Sequence, residues 1–308
     1  MKKKTILITG ANGFIACKIA EQLRHHEGEI YYTSQSPLTN PFVRTDSFLQ
    51  VNLLTEYDRL QTWMEDIKPT HIIHTAAMTQ VKACEENMEA CVELNVEIPQ
   101  KLAEFCAEND IHLIHFSTDF VFEGKPGKAY TEDAAVNPCN LYGKSKALSE
   151  SAIISSSCSF SILRIVLVYG KAIGSQKSNF VLWVKDTLSK RKSIQAVHDH
   201  YRMPTWVDDI AETVEVLITS PVKGIFHIVG ETYLSVFDFA KEIAAFWTLD
   251  EDLIQPISAE EIGQKDNRPE STRLDYSFTK NKIGFTPTPL KKAFKKIKQQ
   301  LKDEEHEK

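Results

Sequence analysis

Residues 113–150 read LIHFSTDFVFEGKPGKAYTEDAAVNPCNLYGKSKALSE, and this stretch decides the fold. It begins with an apolar run typical of a buried strand, and Ser117-Thr118-Asp119 stands where that strand should end. A loop rich in glycine and proline follows, and Tyr142-Gly-Lys-Ser-Lys146 stands at the head of the next predicted helix. Ligands of open α/β folds bind at the carboxyl edge of the sheet. The stretch therefore predicts a hydroxyl, a phenol and an ammonium at that edge.

Thr118, Tyr142 and Lys146 form a candidate set for proton transfer to a carbonyl oxygen. Residues four apart share one face of a helix, so Lys146 can lie beside Tyr142. A free phenol titrates near pH ~10, and a neighbouring ammonium is expected to lower that pKa toward the operating range. Tyr276 and Lys280 have the same spacing. No strand ending in Ser-Thr precedes that second pair, so only the first is predicted to be catalytic.

A short apolar strand, Lys4 to Thr9, leads through Gly10-Ala-Asn12-Gly13 into a helix predicted to reach Leu23. Glycines at these two places let the backbone turn tightly and approach a pyrophosphate, whose charge then faces the helix N-terminus. Ala16 replaces the third glycine of the fingerprint and is small enough for close helix–strand packing. The turn predicts dinucleotide binding, which would place the proton donor beside a nicotinamide.

The end of the second predicted strand, Glu29 to Thr33, bears on the choice of cofactor. An acidic residue there would bind the ribose 2′-hydroxyl of NAD, but the sequence is Thr33-Ser34-Gln35. The missing carboxylate favours NADPH over NADH, and Arg44 is a distant candidate for a 2′-phosphate. NADPH and NADH both stay open at this point.

Length and composition exclude several classes of protein. The chain has 308 residues, 42% of them hydrophobic, and a net charge of -6. It suits one large or two modest domains, and it lacks the basic footprint of a nucleic-acid-binding protein. No apolar run approaches the ~20 residues of a membrane span, and the run after the N-terminal lysines is too short for a signal peptide. Six cysteines without a C-x-x-C pair predict reduced thiols and a cytoplasmic location. Nothing marks an interface, so a homodimer is one open alternative.

Strands and helices alternate over residues 1–170, which predicts a Rossmann-type, doubly wound parallel sheet in an α/β domain. Further strands are predicted over 48–53, 71–75 and 161–169, and a helix around 86–106. After Gly170 the pattern predicts a helix from Ser178 to Leu188, an irregular stretch over 193–204, a helix through 217, a strand over 224–229 and a helix from 235 to about 247. Residues 171–308 are therefore predicted to form a smaller substrate-binding α/β lobe. Within them, 204–220 returns to the first domain and 302–308 is a charged tail.

Two arginines and one histidine cluster are further candidates. Arg202 and Arg268 could hold the diphosphate of a nucleotide, which needs fixed cationic partners. His198-Asp-His200 is the cluster that most resembles a metal site, but it lacks a third distant ligand. The sequence therefore predicts no metal.

These motifs resemble those of extended short-chain dehydrogenases, and more closely those of the dTDP-4-dehydrorhamnose reductase family. The resemblance spans almost the whole chain. It rests on Gly10-x-x-Gly13, Ala76-Ala77, Asn95, Ser117-Thr118-Asp119-Phe-Val-Phe-Glu-Gly124, Tyr130-Thr-Glu-Asp133, Pro138, Tyr142-Gly-Lys-Ser-Lys146, Leu163-Arg164, Val168-Tyr169-Gly170, Asn179-Phe180, Pro204-Thr205, Asp209-Ile-Ala211 and Arg268-Pro-Glu-Ser-Thr-Arg-Leu-Asp275.

The resemblance implies an NAD(P)H-dependent reductase of a nucleotide-linked 4-keto-6-deoxysugar, as in dTDP-rhamnose biosynthesis. Its catalytic set would be Thr118, Tyr142 and Lys146. The residues assigned to the cofactor are Gly10, Asn12, Gly13, Phe14, Ile15, Ser34, Asn52, Leu53, Ala76, Ala77, Met78, Asn95, Phe116, Tyr142 and Lys146. Those assigned to the substrate are Thr118, Asp119, Leu167, Asn179, Arg202 and Arg268. Leu167 stands where the family usually has tryptophan and Lys82 where it has aspartate, which leaves the identity of the sugar open.

Two alternatives remain at this point. One is a nucleotide-sugar epimerase of the same superfamily, which would keep its cofactor bound and consume none. The other is a regulatory subunit without turnover, like the β-subunit of methionine adenosyltransferase, which shares an arginine before Pro-Thr, here Arg202.

Overall fold

The computed structural model describes residues 4–171 and 179–306. Its strands are short, and most of the longer ones belong to one sheet. They are β1 Thr5–Thr9, β2 Glu29–Ser34, β3 Phe48–Gln50, β4 His71–His74, β5 His112–Thr118, β6 Ala129–Tyr130, β7 Ser159–Ile165, β8 Val168–Tyr169, β9 Ile194–Val197, β10 Tyr201–Arg202, β11 Thr205–Trp206, β12 Gly224–Ile228, β13 Leu234–Ser235, β14 Ile254–Ile257 and β15 Arg273–Leu274.

Helices cover the sheet and build the rest of the molecule. They are α1 Phe14–Gln22, α2 Tyr57–Ile67, α3 Val81–Glu86, α4 Met88–Val92, α5 Ile98–Glu108, α6 Leu141–Ser155, α7 Phe180–Ser189, α8 Val207–Thr219, α9 Val236–Trp247, α10 Ser277–Ile283 and α11 Leu290–His306. A π-helical turn, Glu93–Glu97, joins α4 to α5.

Seven parallel strands form the central sheet in the order β12-β7-β5-β4-β1-β2-β3. Strand β1 pairs with both β2 and β4, so the chain reverses its winding direction between β1 and β4. Every residue of β5 is buried, because both faces of a parallel sheet are covered. The predicted fold class, a Rossmann-type doubly wound sheet, is confirmed. Its ligand site is expected where β1 and β4 end.

Separate hydrophobic clusters fill the two sides of the sheet and the C-terminal part of the chain. On one side, α1 and α8 pack against each other and over β1. On the other side, α2 and α5 pack over the same sheet. A third cluster joins α7, α9 and α11 through residues such as Leu188, Phe239 and Phe294. This third cluster packs the helices of the C-terminal part of the chain together.

The structure differs from the sequence predictions in five places. The stretch 193–204 is not irregular: β9 and β10 pair there with β14 and β13, partners that no local pattern reveals. Strand β12, placed by the sequence in the second lobe, joins the edge of the central sheet. The third strand ends at Gln50, and the helix predicted around 86–106 is split into α3, α4, the π-helical turn and α5. The strand predicted over 161–169 breaks between β7 and β8 at Leu167, whose φ is +37°.

Two further predictions, the start of the helix at Ser178 and the charged tail over 302–308, lie partly outside the described residues. Helix α7 begins at Phe180, and the predicted start at Ser178 lies outside the described residues. The predicted tail over 302–308 is helical as far as His306, and the last two residues lie outside the description. None of the described helices is long and apolar enough to span a bilayer.

Candidate active site

The turn after β1 brings the backbone against the end of β4. Gly10 has a φ of +73°, and a Cβ atom there would lie 2.8 Å from Thr75 Oγ1 and 2.9 Å from the backbone nitrogen of Ala76. Only glycine fits both the conformation and the space. Gly13 is the N-cap of α1 and supplies no side-chain cap, so the helix N-terminus faces this turn with backbone alone. The turn has the geometry that lets a pyrophosphate approach closely.

A cavity of about 540 Å³ lies at the switch point between β1 and β4. It gathers eight of the residues that the sequence assigns to the cofactor: Gly10, Asn12, Gly13, Ser34, Asn52, Leu53, Ala76 and Ala77. Six further residues also line it: Thr33, Gln35, Ser36, Leu54, Thr75 and Leu94. We call this the switch-point cavity. Its shape, its glycine turn and its place on the sheet fit a dinucleotide.

Polar side chains without a carboxylate form one rim of the switch-point cavity. Asn12 Nδ2 donates to Ser34 Oγ at 2.9 Å and to Ser36 Oγ at 3.0 Å, which ties the glycine turn to the loop after β2. Arg44 does not reach this rim. It pairs with Asp46 and lines a different depression on the surface, so its role at a 2′-phosphate stays a prediction.

Asn95 links the cofactor side of the site to the catalytic helix. Its Oδ1 accepts from the Met78 backbone nitrogen at 2.9 Å, and its Nδ2 donates to the Met78 carbonyl at 2.9 Å and to Ser145 Oγ at 3.1 Å. Ser145 in turn donates to the Tyr142 carbonyl at 2.8 Å. Asn95 is buried, so it holds the chain beside the cavity and does not line it.

A second cavity of about 530 Å³ contains Thr118 and Tyr142. We call it the tyrosine cavity. Thr118 ends β5, and its hydroxyl donates to Asp119 Oδ1 at 3.1 Å and is hydrogen-bonded to the Tyr142 hydroxyl. Gly143 lets α6 approach closely, because a Cβ atom there would lie 2.1 Å from the Phe120 carbonyl oxygen. The predicted convergence of Thr118 and Tyr142 is present.

Burial sets the protonation state of Tyr142. It raises the pKa of the phenol above its usual value, the hydrogen bond with Thr118 opposes this, and the Asp119 charge adds to the rise. The sequence prediction that Lys146 lowers this pKa is wrong for the structure described, because burial outweighs the other influences. The phenol is therefore protonated at neutral pH, which is the form that donates a proton.

Lys146 is not among the residues that line either cavity. Its side chain is buried, and its Nζ atom is 3.0 Å from Nε2 of His115. Burial lowers the pKa of Lys146 to about 8, and the nearby Glu150 carboxylate opposes the shift. The resemblance assigns Lys146 to the cofactor, and the structure places its ammonium against a histidine.

The lowered pKa of Lys146 gives a stability prediction with a defined sign. Between pH 8 and 10.5 the unfolded chain binds a proton here that the folded chain does not, so this group adds stability as the pH rises through that window. We expect Lys146→Met to have a larger free energy of unfolding than wild type near pH 7, by up to about 3 kcal/mol. This advantage should shrink toward pH 10.5. Urea unfolding of both proteins at pH 7 and pH 10 measures it, and a pH-independent difference would contradict it.

Asp119 and Arg202 form a buried link between β5 and the C-terminal segment. The Asp119 carboxylate accepts from Thr272 Oγ1 at 2.5 Å and lies 3.6 Å from Arg202 Nε. Arg202 also donates to the carbonyls of Tyr201, Pro269 and Glu270. Both side chains line the tyrosine cavity, but their hydrogen bonds hold protein segments together. The diphosphate role of Arg202 stays a prediction, and in this structure its guanidinium donates to protein carbonyls.

Arg268 is the better-placed cation of the tyrosine cavity. Its guanidinium lies 5.8 Å from the centre of the Phe120 ring, and within the described ranges it has no hydrogen bond. His200 lines the same cavity, and burial together with the charge of Arg202 lowers its pKa to about 4, so it is neutral. Among the described residues no three histidine, cysteine, aspartate or glutamate side chains form a group that could hold a metal.

The structure places the remaining predicted residues in different surroundings. Leu167 and Ile15 line the tyrosine cavity, Leu167 at its strained φ. Asn179 caps α7, accepting from the Leu182 backbone nitrogen and donating to the Gly170 carbonyl. Phe116 belongs to the core of the sheet.

Sequence reasoning missed several residues that line the tyrosine cavity. They are Thr79, Phe120, Ile165, Val168, Val197, Val236 and Gln264, and His200 was weighed only as part of a metal cluster. Phe120 could have been found, because it follows Thr118-Asp119 directly. Gln264 comes from a turn with no local signal.

The fold and the two cavities together define the class of protein. A seven-stranded parallel sheet with a glycine turn at its switch point, and a Thr–Tyr pair at the carboxyl edge, belong to an extended short-chain dehydrogenase of Rossmann type. The family model for the RmlD substrate binding domain matches residues 3–303. The chain belongs to this family.

Relatives cover nearly the whole chain at modest identity. The probable low-salt glycan biosynthesis reductase Agl14 of Haloferax volcanii is 27% identical over 287 residues, 92% of this chain and 93% of that protein. Subunit beta of methionine adenosyltransferase 2 from Rattus norvegicus is 29% identical over 283 residues, 89% of this chain and 81% of that protein. A crystal structure of dTDP-4-dehydrorhamnose reductase from Bacillus anthracis, in complex with NADP, has a TM-score of 0.84 and 26% identity, covering 96% of this chain and 98% of that one.

Proposed function

We propose that the chain is an NAD(P)H-dependent reductase of a nucleotide-linked 4-keto-6-deoxysugar, most like dTDP-4-dehydrorhamnose. The observation that carries the proposal is the adjacency of the two cavities. Gly13 and Ala77 line the switch-point cavity. Ile15 and Thr79, each two residues further along the chain, line the tyrosine cavity. A dinucleotide lying across the first cavity would therefore end beside Tyr142.

The cofactor half of the proposal rests on the switch-point cavity. Its glycine turn would hold the pyrophosphate, and Ser34 and Ser36 would face the adenosine ribose. A rim without a carboxylate tolerates a 2′-phosphate, and the Bacillus anthracis reductase was crystallised with NADP, so we favour NADPH over NADH. When bound, the reduced nicotinamide supplies the hydride.

The chain's own residues supply the proton and position the ketone. Tyr142 Oη holds a proton at neutral pH and would donate it to the carbonyl oxygen as negative charge develops there. The Thr118 hydroxyl, hydrogen-bonded to the same phenol, would orient that oxygen. Lys146 keeps a positive charge beneath the pair below pH 8. The Asp119–Arg202 link keeps the cavity walls in place around the sugar.

The diphosphate of the substrate is expected to bind at Arg268. We expect Arg268→Ala to raise KM for the nucleotide sugar by about tenfold or more, with little change in kcat, because a charge-assisted hydrogen bond is worth about 1.5–3 kcal/mol. The matched control is Arg273→Ala, which removes an exposed arginine that stacks on Tyr233 and lies outside the tyrosine cavity. Steady-state kinetics of the three proteins test this. Equal effects of the two substitutions would contradict the role of Arg268.

A single assay tests the proposed function. The protein is mixed with NADPH and a dTDP-4-keto-6-deoxysugar, and the nicotinamide absorbance is followed. Loss of absorbance in step with sugar reduction supports the reductase. An epimerase would convert the sugar with no net loss of NADPH.

One finding favours a second candidate, a dinucleotide-binding regulatory subunit. A beta subunit of methionine adenosyltransferase is among the relatives, at 29% identity over most of both chains. Such a subunit would bind NADPH in a calorimetric titration and leave every nucleotide sugar unchanged. Binding without turnover across a panel of keto sugars would favour it over the reductase.

A further inference from the structure

Two buried histidine pairs cross from β4 to β5 in the centre of the sheet. The rings of His71 and His112 lie 5.9 Å apart, and those of His74 and His115 lie 5.6 Å apart and nearly parallel. Histidines three apart on a strand point to opposite faces, so the pairs lie on different sides of the sheet. The His74–His115 pair lies on the side of α6, where Lys146 is.

The contacts of His115 define its tautomer. Its Nε2 atom is 3.0 Å from Lys146 Nζ and 3.0 Å from Ser149 Oγ. The Ser149 hydroxyl donates its single proton to the Lys146 carbonyl at 2.9 Å, which leaves the Nε2 lone pair to Lys146. An ammonium has only donors, so Nε2 must accept and the ring proton must be on Nδ1. That Nδ1 is buried and has no hydrogen-bond partner among the described residues.

We propose that His115 is a positioning residue for the reaction: its neutral ring accepts a hydrogen bond from Lys146, and so fixes both the place and the charge of that ammonium below Tyr142. The inference rests on the proposed reductase function. His115 touches neither cavity and acts only through Lys146.

The other groups around Lys146 leave this role to His115. His74, on β4, donates to or accepts from Thr9 Oγ1 at 2.8 Å and is kept neutral by burial and by the Lys146 charge. Glu150, one turn along α6, is occupied by Arg164 and Ser117. Cys91, from α4, hydrogen-bonds Ser145 through its sulfur. Tyr142, on α6, is protonated. The His115 nitrogen is thus the one side-chain acceptor that contacts the ammonium among the described residues.

A proton relay through His115 does not fit the same contacts. Burial and the neighbouring Lys146 charge hold the pKa of His115 well below its usual value. Taking a proton from Lys146 would therefore be strongly uphill. His115 acts as a fixed acceptor and stays neutral throughout.

The test follows the ionisation of Lys146 in the ligand-free protein, where turnover plays no part. Protein carrying [13C]lysine is titrated by NMR, and the Lys146 signal is identified by its loss in Lys146→Met. We expect His115→Phe, which keeps an aromatic ring in the stack, to lower the Lys146 midpoint by about one pH unit or more. His115→Gln, which restores an acceptor, should return the midpoint toward wild type. An unmoved midpoint in His115→Phe would overturn the proposal.

The matched control lies three residues away on the same strand. His112 is also buried and stacked on a histidine, but it is hydrogen-bonded to Ser159 and Ser161 on the opposite face. His112→Phe should destabilise the protein to a similar degree and leave the Lys146 midpoint where it is in wild type. An equal shift in both variants would mean that any damage to β5 moves the midpoint, and would overturn the specific role of His115.

Wild-type protein supplies a test that does not depend on a variant folding. Nitrogen-15 spectra of the histidine rings should show Nε2 of His115 unprotonated and Nδ1 protonated. A proton on Nε2 would overturn the proposal, because that atom could then not accept from Lys146.

In the reductase assay, the basic limb of the kcat/KM profile should move to lower pH in His115→Phe and not in His112→Phe. If no sugar is reduced while the Lys146 midpoint still moves, the reductase proposal fails and the His115–Lys146 contact stands.

Discussion

Replacing Tyr142 with phenylalanine should lower the rate of ketone reduction by about 10²- to 10⁴-fold, the usual contribution of a general acid. The phenol lines the tyrosine cavity, is hydrogen-bonded to Thr118 and is held protonated by burial. Phenylalanine keeps the ring and its packing against Phe120, whose centroid lies 6.0 Å away. The variant should therefore fold and bind NADPH as wild type does. Single-turnover reduction of the keto sugar, with circular dichroism and NADPH binding as checks, measures the effect.

The chain contains a matched control for this experiment. Tyr276 also precedes a lysine by four residues, Lys280, but it packs against Phe285 at the edge of the sheet cluster and lies in neither cavity. Tyr276→Phe should leave the reduction rate within about twofold of wild type, since its hydroxyl lies in neither cavity and the ring that packs against Phe285 is kept. Unchanged turnover in Tyr142→Phe would remove that phenol from the mechanism.

Replacing Gly10 with alanine should weaken dinucleotide binding by about tenfold or more and lower the free energy of unfolding by about 2–4 kcal/mol. The new Cβ would lie under 3.0 Å from the end of β4, where the nearest atoms are Thr75 Oγ1 and the Ala76 nitrogen. The turn can relieve this contact only by moving away from β4, which would open the place where the pyrophosphate is expected. Calorimetric titration with NADPH and urea unfolding measure the two effects.

Gly127→Ala is the control that separates the cost of a left-handed backbone from the cost of the Cβ contact with β4. Gly127 has a φ of +76°, close to that of Gly10, but a Cβ atom there would meet nothing within 4 Å. The free energy of unfolding of Gly127→Ala should therefore fall by only about 1 kcal/mol, the cost of alanine in a left-handed conformation. The variant should bind NADPH as wild type does. If both variants lost stability equally and both still bound NADPH, the close approach of the Gly10 turn to β4 would have no role in the site.

The parts that the sequence predicts well depend on neighbours in the chain or on regular repeats. Alternating apolar strands and helices predict the parallel sheet, and the carboxyl ends of β1, β4 and β5 must then meet along one edge. Gly10, Ala76 and Thr118 each stand directly at such an end. Their gathering around two adjacent cavities follows from topology.

The parts that it misses depend on contacts between distant segments. Asp119 meets Thr272, 153 residues later, and Arg202 meets the carbonyl of Pro269, 67 residues later. No periodicity marks such pairs, so Arg202 looks like a ligand-binding cation in the sequence and is a link between segments in the structure. The pairing of β9 with β14 is missed for the same reason.

Lys146 shows a different limit of sequence reasoning. Its spacing from Tyr142 is correct for one helix face, but spacing carries no information about burial. Burial reverses the expected effect on the phenol and lowers the pKa of the ammonium itself. No motif of the sequence singles out His115. The imidazole of His115 makes the contact with Lys146 that the sequence could not show.

The most direct measurement follows one deuterium atom. The protein is supplied with NADPH deuterated at the transferable position of its nicotinamide and with a dTDP-4-keto-6-deoxysugar, and the product is analysed by mass spectrometry. A direct reduction beside Tyr142 places one deuterium on the former ketone carbon for each NADPH consumed. A sugar that emerges with no deuterium, or that is never reduced while NADPH stays bound, would contradict the proposed reaction.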